Sequence, residues 1–309
     1  KSRPSYSCAF EAAGDGELNR SRIEQLLWRS LYRDYSSLYR FAAVSQRKFL
    51  DLYFMHFEVD ILKKCLRDAA SSRSSDLDLS IFEDFFRKHS HLDLAGLAEC
   101  SSLDSFVEGL RGSFYYEPLR RLRDQGVTAL FDYESALDSL YFIHLWKDMK
   151  KQLGRKLEAV SQCIGEKIDL LNLEWLSRAK EYYRLSDHAI EDFLIPVYYK
   201  LRKDQIRAMA QAASREEFLG ILRTTRYGNR IFGQPDPSSG QENPRLKRLF
   251  RSLLDAVYQT SGRKNPYSPA ALNTYFYFNE EEIRKLITTI EGIRYQLDGN
   301  EILSCLAES

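Results

Sequence analysis

Residues Glu166 to Lys180 constrain the rest of the chain more than any other stretch. Read as a helix, this segment carries Leu170, Leu173 and Leu176 on one side and Ile168, Leu171 and Trp175 on another. A helix that is apolar nearly all round belongs inside a bundle. Asp169 falls on the Leu170, Leu173, Leu176 side, because helix positions three, four and seven apart share a face. A carboxylate withdrawn from water at such a place needs a partner.

The stretch has an echo on either side. Glu58, Asp169 and Glu282 align, and each is followed one and four places later by apolar residues: Val59 and Leu62, Leu170 and Leu173, Ile283 and Leu286. Nine places on stand Arg67, Arg178 and Glu291. The preceding long segments agree, with Ser30-Leu31-Tyr32, Ser139-Leu140-Tyr141 and Ser252-Leu253-Leu254 in register. Shorter segments further on match between the first two copies: Phe82-Glu-Asp-Phe85 answers Ile190-Glu-Asp-Phe193, and Leu94 to Ala98 with Phe106 and Tyr115 answers Ile206 to Ala210 with Phe218 and Tyr227. A period of about 110 residues is too long for a solenoid unit and fits three small related domains.

The eight prolines leave long uninterrupted spans of three- and four-residue periodicity, and alternating strand patterns are scarce. The expected fold is therefore all-α. Residues 1–17 read as a loosely ordered N-terminus, 18–125 as a first helical repeat, 126–233 as a second, 234–242 as a linker and 243–309 as a partial third repeat whose short-helix half is mostly missing. Long helices are expected from Arg22 to Ala43, from about Arg47 to Ala70, from Phe131 to Leu153, from Asn243 to Gln259 and from Pro269 to Glu291. Ser80-Ile-Phe-Glu83 and Ser214-Arg-Glu-Glu217 offer capping boxes for short helices, and short helices are also expected around Leu92 to Glu99 and Ser102 to Leu110.

Composition excludes several classes of function. Lys and Arg total 45 against 44 Asp and Glu, so the overall basic excess of a nucleic-acid binder is missing. The five cysteines, Cys8, Cys65, Cys100, Cys163 and Cys305, are odd in number and contain no Cys-x-x-Cys pair, which points to reduced thiols in a cytosolic setting rather than to disulfides or structural zinc. No run of about eighteen apolar residues suggests a membrane span, and the first thirty residues lack the pattern of an export signal. Neither a phosphate-cradling glycine loop nor a nucleophile elbow occurs, so no cofactor site and no catalytic residues are expected. His89-Ser-His91 lacks the second cluster that a metal site needs.

For Glu58, Asp169 and Glu282 the expected role is structural, as acids paired with an Arg or Lys of a neighbouring helix or set near a helix N-terminus. Two basic segments remain, Arg120-Arg121-Leu-Arg123 and Arg245-Leu-Lys247-Arg248-Leu-Phe-Arg251. In the second, Arg245, Lys247, Arg248 and Arg251 share a helix with Leu246, Leu249, Phe250, Leu253 and Leu254, which describes an amphipathic helix. Its functional reading is contact with an acidic partner helix or with lipid headgroups.

Three copies of an acid-led apolar helix, with Asp169-Leu-Leu-Asn172-Leu and Arg178-Ala-Lys180 in the middle one, resemble the C subunit of V/A-type ATPases, whose eukaryotic relative is the d subunit. The resemblance runs over roughly residues 18 to 305, and Glu280-Glu-Glu282 and Gly292 fit the family's third repeat. Ile61 and Lys285 stand at the Asn position of the outer copies, and Glu291 replaces the last Arg. What the resemblance implies is a funnel-like socket of three similar helical domains between the membrane proteolipid ring and the rotor shaft of the soluble ATPase head. Such a protein transmits torque without chemistry of its own while H⁺ or Na⁺ crosses elsewhere, and it is cytoplasmic and peripheral to the membrane. The alternative from another class is a helical scaffold or adaptor of a different assembly, using the Arg245 to Arg251 helix at a membrane surface or partner. A third class, an enzyme, rests only on the buried acids.

Overall fold

The computed structural model describes residue 6 and residues 20–71, 83–152, 158–180, 194–233 and 246–308. Within them lie fourteen helices and no strand, so the fold is all-α. The expected N-terminal segment, the Ser80 capping box, the Ile190-Glu-Asp-Phe193 segment, the linker and Arg245 fall outside the described residues, apart from Tyr6 and from Glu83 at the start of a helix.

The chain divides into two compact units, one of residues 1–137, 275–307 and 309, the other of residues 138–274 and 308. In the first unit, α1 (Arg20–Phe41) and α2 (Val44–Ala70) form a long antiparallel pair. They are joined by Ala42 and Ala43 alone. The break needs neither Gly nor Pro: Ala43 is extended, at φ −68° and ψ 163°, and the Gln46 side chain accepts its N–H at 2.8 Å. This stops one helix and starts the next three residues earlier than the periodicity indicated. Short helices α3 (Glu83–His89), α4 (Leu94–Ala98), α5 (Leu103–Gly109) and α6 (Tyr116–Asp124) follow. The core here is strongly aromatic. Tyr35, Phe57, Phe85 and Phe276 surround one another with ring centroids 5.3 to 6.5 Å apart, and the buried Tyr35 hydroxyl donates to the Leu50 carbonyl at 2.7 Å. Edge-on ring packing of this kind adds to the area burial of each aromatic side chain.

The second unit is built on α8 (Glu158–Arg178), which packs against α12 (Leu246–Lys264). Two long helices contribute to both units: α7 (Leu130–Gln152) and α13 (Pro269–Arg294). Short helices α9 (Lys203–Gln211), α10 (Arg215–Thr224) and α11 (Gly228–Phe232) are also in the second unit, and α14 (Gly299–Glu308) is the last described helix. Leu170, Leu173 and Leu176 of α8 bury against Ile206, Met209, Phe218, Leu222, Tyr227, Phe250 and Leu253. At about 1.5 to 3 kcal/mol for each fully buried large apolar side chain, this cluster dominates the folding of the unit.

The long helices lie where the periodicity placed them, within a few residues at most ends. Helices α6 and α14 were not anticipated. The first contains the basic run Arg120-Arg121-Leu-Arg123, and the structure spends two of those charges locally: Arg120 pairs with Glu117 and Asp124, each at 2.9 Å, and Arg123 with Glu108 at 2.7 Å.

Candidate functional site

The acid of the middle copy shows what the motif does. Asp169 on α8 is 0% exposed and accepts from three successive backbone N–H groups: Tyr199 at 3.0 Å, Lys200 at 2.6 Å and Leu201 at 3.0 Å. The Tyr227 hydroxyl, at the start of α11, donates to the same carboxylate at 2.8 Å. One turn along α8, Asn172 closes a two-way pair with Ile195, donating to its carbonyl and accepting its N–H, each at 2.9 Å. One turn back, Glu166 receives Arg230 at 2.7 Å and also Lys200. Lys180 Nζ, at the far end, donates to the Ala212 carbonyl at 3.0 Å. The motif is thus a row of anchors holding the irregular segment before α9, and the ends of α9 and α11, against one helix.

These residue types follow from the backbone they hold. Residues 199–201 are outside any helix, so their N–H groups have no ladder partner and need an acceptor when buried. A carboxylate supplies two oxygens and about four lone-pair sites, and at Asp169 backbone N–H groups and Tyr227 fill them in place of the Arg or Lys partner or the helix N-terminus expected from the sequence. Asn172 matches Ile195 because an amide both gives and takes. Gly165 completes the arrangement: a Cβ there would lie 2.5 Å from Tyr199 Cγ, so the tyrosine ring can rest on α8 only over a glycine. Burial raises the Asp169 pKa above its ordinary value, and the backbone donors and Tyr227 pull it back. Burial also lifts the Tyr227 hydroxyl far above its usual range, and the Asp169 charge beside it acts in the same direction, so it remains a donor.

The first copy holds its acid the same way with different donors. Buried Glu58 on α2 accepts from the Tyr115 hydroxyl at 2.8 Å and from the Ser90 hydroxyl. Tyr115 is 57 residues after its acid, and Tyr227 is 58 after its own. Each tyrosine is aimed by the same local turn. The N–H of Tyr115 bonds the Ser113 hydroxyl at 3.3 Å and that of Tyr227 the Thr225 hydroxyl at 3.2 Å, while each hydroxyl donates 2.7 Å to the carbonyl three residues earlier, of Leu110 or Leu222. The helices before them also start alike, capped by Ser102 on the Ser105 N–H and by Ser214 on the Glu217 N–H, both at 3.1 Å. The Asn position is Ile61 here, buried and apolar.

In the third copy the aligned acid, Glu282, is half-buried, while Glu280 and Glu281 are buried. Glu280 accepts from Tyr53 at 2.6 Å and Arg284 at 3.2 Å, and its Oε2 lies 3.1 Å from His56 Nε2. Here Tyr53 of α2 and Arg284 of α13 itself provide the donors. Arg67 extends to Glu134 at 2.6 Å on the surface, and Arg178 is exposed near the end of α8. Lys247 stands in solvent, whereas Arg248 and Arg251 are half-buried beside Leu246, Phe250 and Leu253. His89 packs on the rings of Tyr35, Tyr39, Phe54 and Phe85, which pushes its pKa down, and Ser90 serves Glu58. Among the described residues no three His, Cys, Asp or Glu side chains converge as metal ligands, and no helix is long and apolar enough to cross a membrane.

A profile described as ATP synthase (C/AC39) subunit matches residues 2–305. The chain belongs to the ATP synthase (C/AC39) subunit family. It is therefore a V/A-type ATPase subunit, similar to proteins named as the C subunit of A-type ATP synthases. The one from Methanosphaera stadtmanae is 23% identical over 272 residues, covering 85% of this chain and 69% of the relative. That of Methanocaldococcus jannaschii is 23% identical over 290 residues, covering 92% and 71%. For Pyrococcus abyssi the figures are 28% over 192 residues, 62% of this chain and half of the relative's length, 50%.

Sequence reasoning missed Glu166, Glu280, Gly165 and the two tyrosines as donors. Tyr115 and Tyr227 were visible as a matched pair, and a buried Tyr hydroxyl normally finds an acceptor. Pairing them with the matched acids was the available signal.

Proposed function

We propose that the protein is a non-catalytic central-stalk component of a V/A-type rotary ATPase. It links the rotor shaft of the soluble head to the membrane proteolipid ring and transmits torque for ATP-coupled H⁺ or Na⁺ transport. It is held at the cytoplasmic side of the membrane through the complex. The observation that carries this reading is the family match over residues 2–305 together with the acid and tyrosine ties that recur in two copies. We read residues 18–125, 126–233 and 243–309 as three related helical domains, and Glu58, Arg67, Asp169, Asn172, Arg178 and Glu282 as their shared structural positions.

The physical argument concerns stiffness. A part that passes torque must not let its short helices slide on its long ones, and close-packed interiors resist such sliding. Packing alone leaves low-cost slips along an apolar stripe, whereas hydrogen bonds to a buried carboxylate have one geometry and are about twice as strong as neutral ones. The acids serve this role without reacting.

Co-purification tests the proposal. The chain is expected to bind shaft proteins and the detergent-solubilised proteolipid ring; a well-folded chain that binds neither contradicts the reading.

A further inference from the structure

The turn between α1 and α2 ends in a solvent-facing cluster that the core does not use. Phe41 is 82% exposed and Val44 is 74% exposed, although both are large apolar residues flanking a two-residue turn. Cations surround them. Arg40 lies over the Phe41 ring at 5.6 Å, and Arg47 and Lys88 lie against the Tyr39 ring at 5.9 and 5.8 Å. Arg47 also donates to the Arg40 carbonyl at 3.2 Å across the turn, and Lys48 is exposed beside it. The sequence from Arg40 to Lys48 contains no acid, and the acid that follows, Asp51, is exposed near Tyr39.

We propose that this tip, formed by Phe41 and Val44 with Arg40, Arg47 and Lys48, is a contact for an anionic lipid surface. Aromatic and aliphatic side chains seat at the boundary between headgroups and acyl chains, while neighbouring Lys and Arg bind the phosphates. Charge complementarity favours that occupant, because Arg40, Arg47, Lys48 and Lys88 outnumber the one acid placed beside them, Asp51, and leave the tip with a net positive charge that matches a negative surface. Size favours it too: a specific protein interface takes about 800 Å² from each partner, which one short turn does not offer, whereas a bilayer accepts a small wedge. The turn between α12 and α13 has the same chemistry, with Tyr267 95% exposed, Arg263 and Lys264 exposed, and no acid from Ala256 to Asn279. The proposal does not depend on the stalk reading, since it concerns the chain with lipid alone.

The test is sedimentation of the full chain with vesicles of phosphatidylcholine alone or mixed with phosphatidylglycerol, free of any other ATPase component. The chain is expected to bind only the mixed vesicles and to be released by salt. At about fivefold per cation near an anionic surface, Arg40→Gln/Arg47→Gln/Lys48→Gln is expected to weaken partitioning about a hundredfold. Phe41→Ser/Val44→Ser weakens it without changing the salt dependence, and Tyr267→Ser reports the second tip separately. All these side chains are exposed, so thermal melts should be unchanged. Absence of binding to mixed vesicles, or binding that both α1–α2 tip variants leave intact, overturns the proposal. So does loss of binding to a shaft or ring protein in the same variants while vesicles are ignored, which would make the tip a protein contact.

Discussion

Asp169→Asn and Glu58→Gln are the same chemical change at two matched positions, and the structure predicts unequal costs. At Asp169 three of four donors are backbone N–H groups that cannot reverse their role. An amide placed there keeps one oxygen, on the side of Lys200, Leu201 and Tyr227, and turns its NH₂ toward the Tyr199 N–H. That loses one bond, weakens three others from charged to neutral strength, and sets two donors against each other in a dry site. Hydrogen bonds to a charged group contribute about 1.5 to 3 kcal/mol against about 1 for neutral ones. Relief of the carboxylate's desolvation, the same burial that raises its pKa, offsets part of the loss. The net expectation is about 3 kcal/mol. At Glu58 both donors are hydroxyls, Ser90 and Tyr115, which can rotate to accept from an amide NH₂, so the cost is about 1 kcal/mol. In calorimetry the first variant should lower the melting temperature of its unit by about 9 °C and the second by about 3 °C. Amide hydrogen exchange should show residues 199–201 losing protection only in Asp169→Asn. Equal shifts, or a larger shift for Glu58→Gln, would refute the argument that backbone donors define the middle clamp.

Other outcomes follow from the same contacts. Asn172→Leu, which installs an apolar residue like the Ile61 of the first copy, leaves the buried Ile195 N–H unpaired, while the Ile195 carbonyl keeps the Val197 N–H at 2.8 Å, and should cost about 1 to 3 kcal/mol by urea denaturation. Gly165→Ala forces Tyr199 off α8 and should destabilise by about 1 to 3 kcal/mol, with faster exchange at the Tyr199 amide. Burial pushes the Cys65 and Cys163 thiols from an ordinary 9.0 up to about 12, so both should resist alkylation in the native protein while exposed Cys305 reacts. Because their folded pKa lies above the unfolded one, the associated stability is complete below pH 9.0 and is lost between there and about 12; a Cys65→Ala/Cys163→Ala variant should show a flatter stability profile across that window.

The all-α class and the long helices were legible because apolar periodicity and proline spacing act locally. The need of Asp169 for a partner was also legible, since its place on the Leu170, Leu173, Leu176 face follows from helix geometry. The identity of the partner was not, because residues 199–201 lie about 30 positions away in a segment without periodicity, and a backbone N–H leaves no trace in a sequence. Helix α6 was hidden by its own charges: Arg120 and Arg123 stood out only as a basic segment, while their acids at 108, 117 and 124 stand three, four or fifteen positions distant. The third copy misled in another way. Three consecutive glutamates permit more than one register, and burial falls on Glu280 and Glu281 because α2 supplies Tyr53 and His56 at that height.

The central claim is that this chain couples a rotary ATPase without reacting itself. The direct measurement is ATP-driven ion uptake by proteoliposomes carrying the complete complex, the complex depleted of this chain, and the depleted complex with the chain restored. The account predicts that depletion abolishes uptake while the soluble head still hydrolyses ATP, and that restoration recovers it. Uptake that continues at the same rate per ATP without the chain would contradict the account.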